Sequence, residues 1–210
     1  MASNPEVRFE TGGSLPPGWL LESEQAVLTE YARDGEVLEI GTFLGRSTVV
    51  MARVARQVVT VDPHSGSPEI LEALAGSDWA RLLDQGGGRM DSLPACIEYL
   101  EAAHLREKIA VVVATFEQVA HLFKPSSFDL VFVDGDHSYA HCLHDGLAGL
   151  GLAKPGAPVL FHDHEASWPA VEEAVRDLAR TTGQEVRRPA GALGELRGLE
   201  RRDPVAVRGQ

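Results

Sequence analysis

Short apolar runs alternate along this chain with longer stretches in which apolar residues recur at helical spacing. The apolar runs have the length expected of buried strands: 37–40, 58–62, 109–114, 130–133 and 159–162. The helical stretches are 23–32, 47–57, 93–104, 139–152 and 171–178. Two further segments, 185–188 and 194–199, are predicted as the last strands. This alternation predicts an α/β fold in which helices cover both faces of a mostly parallel, seven-stranded sheet.

Turn-forming residues mark the limits of the predicted domain. Residues 1–17 are rich in Gly, Pro and Ser and predict a flexible N-terminal arm, whereas 202–210 predicts a frayed tail. The domain between them spans 18–201, and Ser23 is a candidate cap of its first helix. The segment 63–91 is glycine-rich near its end and lacks clear periodicity. It is therefore interpreted as either a substrate lid or a surface excursion without a catalytic role.

The charge of the chain argues against nucleic acid as a partner. Its 210 residues carry a formal net charge of −12, whereas surfaces that bind nucleic acid need an excess of Lys and Arg. We therefore expect a small-molecule substrate. A tRNA or DNA substrate stays open only if a local basic patch forms. The arginines available for such a patch cluster near the C-terminus: Arg187, Arg188, Arg197, Arg201 and Arg202.

The N-terminus and the two cysteines bear on the compartment. The sequence begins without the basic start and apolar core of a secretory signal, and no apolar run reaches the length of a bilayer. Cys96 and Cys142 are too few for a disulfide framework or a metal knuckle, so we expect small packed thiols. These features predict a cytoplasmic protein without a membrane partner.

The stretch 37–50 has the order of a strand, a tight glycine loop and the first turn of a helix. Gly41 and Gly45 permit a sharp turn and a close approach of the backbone to a ligand, while Ser47 and Thr48 place hydroxyls near the helix start. The loop lacks the lysine of a phosphate-binding P-loop, and its glycines are spaced wrongly for a dinucleotide loop. Neither phosphate-binding loop fits.

Two acidic residues near this loop are placed as in proteins that bind a nucleoside. Glu39 lies near the end of the first strand, and Asp62 closes the next one about 20 residues later, where ribose hydroxyls are usually held. Together with this loop, the motifs at 128–139 and 155–164 resemble class I S-adenosylmethionine (SAM) dependent methyltransferases. The two later motifs are similar to those of a family of small bacterial enzymes that includes metal-dependent sugar and antibiotic O-methyltransferases. The resemblance covers residues 18–180 and implies a Rossmann-like, doubly wound sheet.

The resemblance implies that SAM binds along the ends of the first four strands. The residues assigned to it by their position in the family are Glu39, Gly41, Thr42, Gly45, Ser47, Thr48, Asp62, Thr115, Phe116 and Asp134. Thr115 and Phe116 are placed beside the adenine because they follow the third strand. Trp19, in front of the first helix, is either a wall of the pocket or an anchor that packs the arm onto the domain.

Ionisable residues follow the fourth and fifth predicted strands. Asp134, Asp136 and His137 come after one strand, and Asp163 and His164 come after the next. Neighbouring strands lie about 4.8 Å apart, so if these two are neighbours their C-terminal ends bring the side chains into one crevice. The two aspartates of the first group are alternatively turn and cap residues of the following helix.

A divalent metal is the second group that the resemblance implies. In the metal-dependent relatives, an acid matching Asp134 and a pair after the fifth strand bind the cation, which assigns Asp134, Asp163 and His164 as ligands of Mg²⁺ or Mn²⁺. The relatives usually carry Asp-Asp or Asp-Asn at this pair. An imidazole suits Mn²⁺ better than Mg²⁺, and a metal-free site stays open. His137 matches the catalytic base of some relatives, whereas His162 is interpreted as a strand residue paired with the core.

The predicted function is O-methylation of a small-molecule hydroxyl, on a sugar or a secondary metabolite, with a divalent metal and a histidine base. Methyl transfer mainly requires alignment and removal of a proton, since the sulfonium is already a good leaving group. Three alternatives stay open. They are a metal-independent N- or O-methyltransferase that uses His137 alone, a SAM-binding protein without catalysis, and an NAD-dependent oxidoreductase that lacks the third glycine. The family also implies a homo-oligomer, such as a dimer.

Overall fold

Six strands form one sheet in the computed structural model, which describes residues 15–66, 74 and 90–199. The strands are β1 (Glu36–Ile40), β2 (Gln57–Val61), β3 (Ile109–Val112), β4 (Leu130–Val133), β5 (Pro158–Phe161) and β6 (Gly194–Arg197). Their order is β3-β2-β1-β4-β5-β6. The first five are parallel, and β6 runs antiparallel to β5. The predicted neighbourhood of the fourth and fifth strands is therefore confirmed.

Helices cover both faces of this sheet. They are α1 (Glu22–Ala32), α2 (Arg46–Ala52), α3 (Leu93–Ala102), α4 (Phe116–Val119), α5 (Tyr139–Leu152) and α6 (Pro169–Thr182), with 3₁₀ turns at Arg106–Lys108 and Ala120–Leu122. No helix in the described ranges is long and apolar enough to cross a membrane. Residues 1–14 of the predicted arm, most of the 63–91 segment and the predicted tail 202–210 lie outside the described residues.

Alternate strand residues pack against opposite helix layers. One core, shared with α5 and α6, contains Leu38, Val131 and Val159. The other, shared with α1, α2 and α3, contains Val37, Leu130 and Leu160. Because strand side chains alternate between the two faces, burial of both sets explains the near-continuous apolar runs of the sequence. The predicted Rossmann-like α/β class is confirmed.

The predicted seventh strand is reduced to a single bridge. Arg187 and Glu195 exchange two backbone hydrogen bonds of 3.0 and 2.8 Å. Beyond this bridge, the Gln184 side chain accepts from the Arg197 N–H at 2.7 Å and donates to the Arg197 carbonyl at 2.9 Å. A side-chain amide thus satisfies the backbone groups that another strand would have paired. The described part of the sheet consequently has six strands.

The first helix begins one residue before the predicted cap. Ser23 lies inside α1, and the residue in front of the helix is Leu21. The N–H of Leu21 donates to Glu24 Oε2 at 2.9 Å, so Glu24 supplies the glutamate half of a capping box, in which the third helical residue accepts from the N–H of the cap residue. The prediction for Ser23 was wrong because the helix already begins at Glu22, which places Ser23 within its first turn.

A buried glutamate ties the first strand to its neighbours. Glu39 has no exposed surface. Its Oε1 accepts from Ser47 Oγ at 2.5 Å, and its Oε2 accepts from Thr48 Oγ1 at 2.5 Å and from Thr60 Oγ1 at 2.7 Å. Burial raises the pKa of Glu39 to about 7, although the three hydroxyl donors favour the ionised form. One carboxyl group therefore connects β1, the start of α2 and β2.

Gly146 of α5 packs closely against both the sheet and helix α6. A Cβ at this residue would lie 2.4 Å from Leu178 Cδ1 and 2.6 Å from Phe161 Cε1. Gly151, in the same helix, has no atom within 4 Å of the corresponding point. We expect Gly146→Ala to lower the free energy of unfolding by about 1–3 kcal/mol through overpacking. Gly151→Ala should raise it by about 0.5–1 kcal/mol through helix propensity. Urea denaturation of both variants measures the difference, and equal effects would contradict this packing.

The buried Glu39 gives a second prediction, on pH. Its pKa is raised in the folded state from 4.5, so the stability that its proton contributes is complete below pH 4.5 and is lost as the pH rises to about 7. The loss amounts to about 3 kcal/mol. Glu39→Gln does not titrate. The difference in free energy of unfolding between wild type and Glu39→Gln should therefore decrease as the pH rises from 4.5 to about 7. Glu36→Gln, on the same strand but at its half-exposed start, is the matched control, and a difference for Glu39→Gln that does not vary with pH would refute the idea.

Candidate active site

The loop after β1 touches the segment after β4. Gly41 has a φ of 94°, and a Cβ there would lie 2.0 Å from the carbonyl oxygen of Asp134. The Asp134 N–H in turn donates to the Ile40 carbonyl at 2.7 Å. Only glycine fits this contact, because both the backbone angle and the space exclude a side chain. The predicted cofactor loop and the predicted acidic crevice are thus adjacent.

Asp62 fastens the glycine loop from the end of β2. Its Oδ2 accepts from the backbone N–H groups of Thr42 at 2.7 Å and Phe43 at 2.8 Å, and its Oδ1 accepts from the N–H of His64 at 2.6 Å. Phe43 has a φ of 48°, which is unusual for an aromatic residue. The side chain assigned to the ribose hydroxyls is half-buried and also fixes the shape of the loop. Its contact with a cofactor stays a prediction.

The other residues assigned to the cofactor differ in exposure. Glu39, Ser47 and Thr48 form the buried hydrogen-bonded group described above, so they shape the loop from beneath. Thr115 is exposed in front of α4, while Phe116 is buried against the rings of Phe123 and His144. Since β1 to β5 are parallel, all these residues lie at the carboxyl edge of the sheet, where open α/β folds bind ligands.

Two carboxylates and an imidazole converge at the ends of β4 and β5. His162 Nδ1 lies 3.2 Å from Asp134 Oδ1 and 3.0 Å from Asp163 Oδ2. One ligand atom from each of the three residues lies within 4.8 Å of those of the other two. The predicted pair of aspartates is therefore brought together. Asp163 has a φ of 54°, a conformation that costs backbone energy and recurs at functional sites.

A glutamate from α1 completes this centre from its buried side. Glu24 Oε2 lies 3.3 Å from His162 Nε2, and Glu24 Oε1 accepts from the backbone N–H of Ala192 at 2.8 Å. Both side chains are almost fully buried, with exposed fractions of 2% for Glu24 and 4% for His162. Sequence reasoning missed both residues. The only sequence signal was a buried-strand histidine beside Asp163, and nothing in the local pattern around Glu24 indicated a distant partner.

His137 lies on the outer side of the centre. Its Nε2 is 3.1 Å from Asp163 Oδ2, and its ring centroid is 4.2 Å from that of Trp168. The contact with Asp163 is close without regular hydrogen-bond geometry, and neither ring nitrogen has a hydrogen bond within the described residues. Trp168, directly before α6, therefore forms a wall beside the predicted base.

Burial disfavours the charged forms of the side chains in this centre, whereas attraction between the histidines and the aspartates favours them. Burial would lower the pKa of His162, but Asp163 and Asp134 raise it well above its usual range. Burial would raise the pKa of Asp163, but His162 and His137 hold it well below its usual range. The pKa of Asp134 is raised because burial outweighs the attraction of His162. Burial would lower the pKa of His137, and Asp163 raises it. A protonated His162 therefore faces an ionised Asp163.

His164, assigned as a metal ligand, lies apart from these groups. Its backbone N–H donates to the Ala192 carbonyl at 2.7 Å, and its ring packs against Gly194, where a Cβ would lie 2.7 Å from His164 Cγ. Within the described residues, the group that could hold a metal contains His162 in its place. The interpretation of His162 as a core residue captured its burial and missed its two carboxylate neighbours.

The remaining polar residues of the two motifs have local partners. Asp136 Oδ1 accepts from the N–H of Ser138 at 2.8 Å in front of α5, which matches the capping alternative. His141 Nδ1 lies 2.8 Å from Ser138 Oγ and is exposed. His64 is buried, with its Nδ1 2.8 Å from Ser92 Oγ.

Comparison with known proteins shows which family this chain belongs to. A family model described as a methyltransferase domain matches residues 38–164, more than half of the chain. The fold is similar to that of cofactor-bound Rv0187 from MTB, with a TM-score of 0.57 and 22% identity over 81% of this chain and 72% of that one. It is also similar to the O-methyltransferase TomG from Streptomyces achromogenes, involved in tomaymycin synthesis and solved with SAM. Here the TM-score is 0.57, with 19% identity over 84% and 78%.

A third similar structure is a putative O-methyltransferase from Klebsiella pneumoniae, with a TM-score of 0.56 and 18% identity over 86% of this chain and 80% of that one. The matched region contains the glycine loop, both aspartates of the centre and His162, while Glu24 precedes it. The chain therefore belongs to the methyltransferase-domain family and is a class I SAM-dependent methyltransferase.

Proposed function

We propose that this enzyme methylates a hydroxyl oxygen of a small molecule, with a divalent cation held by Asp134, His162 and Asp163 and with His137 as the base. The observation that carries the proposal is the convergence of these four side chains beside Gly41. A methyl donor seated on the glycine loop would therefore be adjacent to groups that bind and deprotonate an acceptor.

The donor set of the centre fits a divalent cation. Asp134 and Asp163 supply carboxylate oxygens, and His162 supplies an imidazole nitrogen directed between them. The two carboxylates are partly exposed, at 22% and 14%, so the centre is open on their side. Metal ligands must be deprotonated, so a bound cation would replace the proton on His162 Nδ1. Such a cation would supply positive charge that lowers the pKa of an acceptor hydroxyl.

His137 has the surroundings required of a base. Asp163 lies beside Nε2, and Trp168 packs on the ring, so both restrain the imidazole. The neighbouring Asp163 raises its pKa, so the neutral imidazole is a stronger base than an ordinary histidine and its protonated form is stabilised once it has taken a proton. In the proposed reaction, the S–C bond of SAM breaks as the acceptor O–C bond forms. His137 takes the proton of the hydroxyl, and the sulfonium leaves as a neutral thioether.

The charge of the chain supports a small acceptor. With a formal net charge of −12, the enzyme lacks the positive excess expected of an enzyme that acts on nucleic acid. The likeness to TomG, an O-methyltransferase of tomaymycin synthesis, supports a secondary metabolite, with a sugar as the other candidate class. We propose no nucleic-acid partner.

One observation favours a second candidate, a metal-independent methyltransferase. The protonated His162 already places a positive charge between Asp134 and Asp163, where a cation would otherwise compensate them. In that case the centre is an internal ion pair that orients His137, and His137 alone removes the proton from an oxygen or nitrogen acceptor.

His137→Gln tests the assignment of the base. Removing a general base typically lowers the rate by about 10²–10⁴-fold. We expect a loss of this size in S-adenosylhomocysteine production with any acceptor that the wild type uses from a panel of hydroxylated metabolites. His141→Gln, at an exposed histidine in the first turn of α5, is the matched control and should retain the activity. Calorimetric affinity for S-adenosylhomocysteine should be unchanged in both variants. A fully active His137→Gln enzyme would remove this residue from the mechanism.

Chelation separates the two candidate functions. If a cation is required, treatment with EDTA should abolish methyl transfer and added Mn²⁺ should restore it, while Asp163→Asn should lose activity that Mn²⁺ does not restore. The metal-independent enzyme would instead keep its activity in EDTA and lose it only in the variant. Both are read by mass spectrometry of the methylated acceptor, together with metal analysis of the purified protein.

A further inference from the structure

We infer that His162, oriented by Glu24, makes this centre select a transition-metal dication such as Mn²⁺ over Mg²⁺, and that Glu24 is a positioning residue for the ligand set. The inference rests on the proposed function, because it concerns the cation that function requires. It goes beyond that function because the two aspartates alone would not determine which cation the centre prefers.

The two ring nitrogens of His162 face different groups. Nδ1 lies 3.2 Å from Asp134 Oδ1 and 3.0 Å from Asp163 Oδ2, whereas Nε2 lies 3.3 Å from Glu24 Oε2. A histidine that binds a metal through one nitrogen usually donates its other N–H to a carboxylate or carbonyl, which fixes the tautomer and the ring orientation. Glu24 supplies such an acceptor, so Nδ1 is the nitrogen left to bind a cation.

Glu24 is itself held firmly. Its Oε2 accepts from the N–H of Leu21 at 2.9 Å, and its Oε1 accepts from the N–H of Ala192 at 2.8 Å. Gly191 packs so closely that a Cβ there would lie 2.4 Å from Glu24 Oε1. The carboxylate therefore cannot turn away from the imidazole without breaking backbone hydrogen bonds at two places in the chain. This rigidity is what a positioning residue needs.

The donor chemistry gives the selectivity. Mg²⁺ prefers oxygen ligands and retains several waters, whereas imidazole nitrogen suits transition metals. Because His162 is one of the three ligands, a bound cation forms one bond to nitrogen, and this bond stabilises Mn²⁺ more than Mg²⁺. The buried Glu24 increases the basicity of that nitrogen, since it accepts the opposite N–H in a region of low dielectric.

The test measures metal binding by the full-length, metal-stripped protein. Titration calorimetry with Mn²⁺ and with Mg²⁺ gives the two affinities, and pulsed electron paramagnetic resonance of bound Mn²⁺ reports coordination by ¹⁴N. Wild type should bind Mn²⁺ at least about ten-fold more tightly than Mg²⁺ and show the nitrogen signal. Glu24→Gln should weaken Mn²⁺ binding by about 10- to 100-fold, the usual effect of losing an outer partner. His162→Asp, which makes the set all-oxygen, should abolish the nitrogen signal and the preference for Mn²⁺.

Glu195→Gln is the matched control. Glu195 is another buried glutamate that contacts α1, through the Tyr31 hydroxyl at 2.9 Å, and it is not part of the centre. Its variant should bind Mn²⁺ as wild type does. Circular dichroism establishes that each variant is folded, and Glu24→Gln keeps the test decisive if His162→Asp does not fold.

The outcomes distinguish this inference from the proposed function. If wild type binds Mn²⁺ and is activated by it, but folded Glu24→Gln binds Mn²⁺ as tightly as wild type does, or folded His162→Asp keeps the preference for Mn²⁺, the inference is overturned and the proposed function stands. A nitrogen signal that persists in His162→Asp overturns it in the same way. If wild type is an active methyltransferase that binds neither cation, the inference and the metal requirement fail together, and the metal-independent candidate is supported.

Discussion

The buried carboxyl group of Glu39 is the interaction on which the rest of the site depends. It accepts hydrogen bonds from hydroxyls on α2 and β2, so the loop between β1 and α2 is fixed at both ends. That loop carries Gly41, which in turn lies against the backbone of Asp134. A residue without exposed surface thus helps to fix the glycine loop beside the acidic centre. Burial of an ionisable group is costly, and here three hydroxyl donors offset part of that cost.

The centre at β4 and β5 is built in two layers. Asp134, Asp163 and His137 are partly exposed and are available to ligands, whereas His162 and Glu24 lie beneath them. The outer layer comes from loops that follow neighbouring parallel strands, and the inner layer joins the end of β5 to a helix from the start of the chain. This division lets the inner pair orient the outer groups while remaining shielded from water.

Features that repeat locally could be predicted from the sequence. The order of strands and helices followed from the apolar runs, and the meeting of Asp134 with Asp163 followed from the parallel ends of β4 and β5. Features that depend on distant contacts could not. Glu24 reaches His162 across 138 residues of sequence. The seventh strand stops at one bridge because the Gln184 side chain pairs with Arg197, an exchange that no periodicity signals.

The turn at 190–193 shows how far the centre extends towards the surface. Gly191 is exposed and has a φ of 48°, as in an ordinary surface turn. Its backbone nevertheless rests on the carboxylate that holds His162. Engineers often choose exposed turns for inserting tags, labels or linkers, on the assumption that such positions are remote from catalysis. In this enzyme, even a single methyl group added to that turn would push directly on the innermost carboxylate of the active centre.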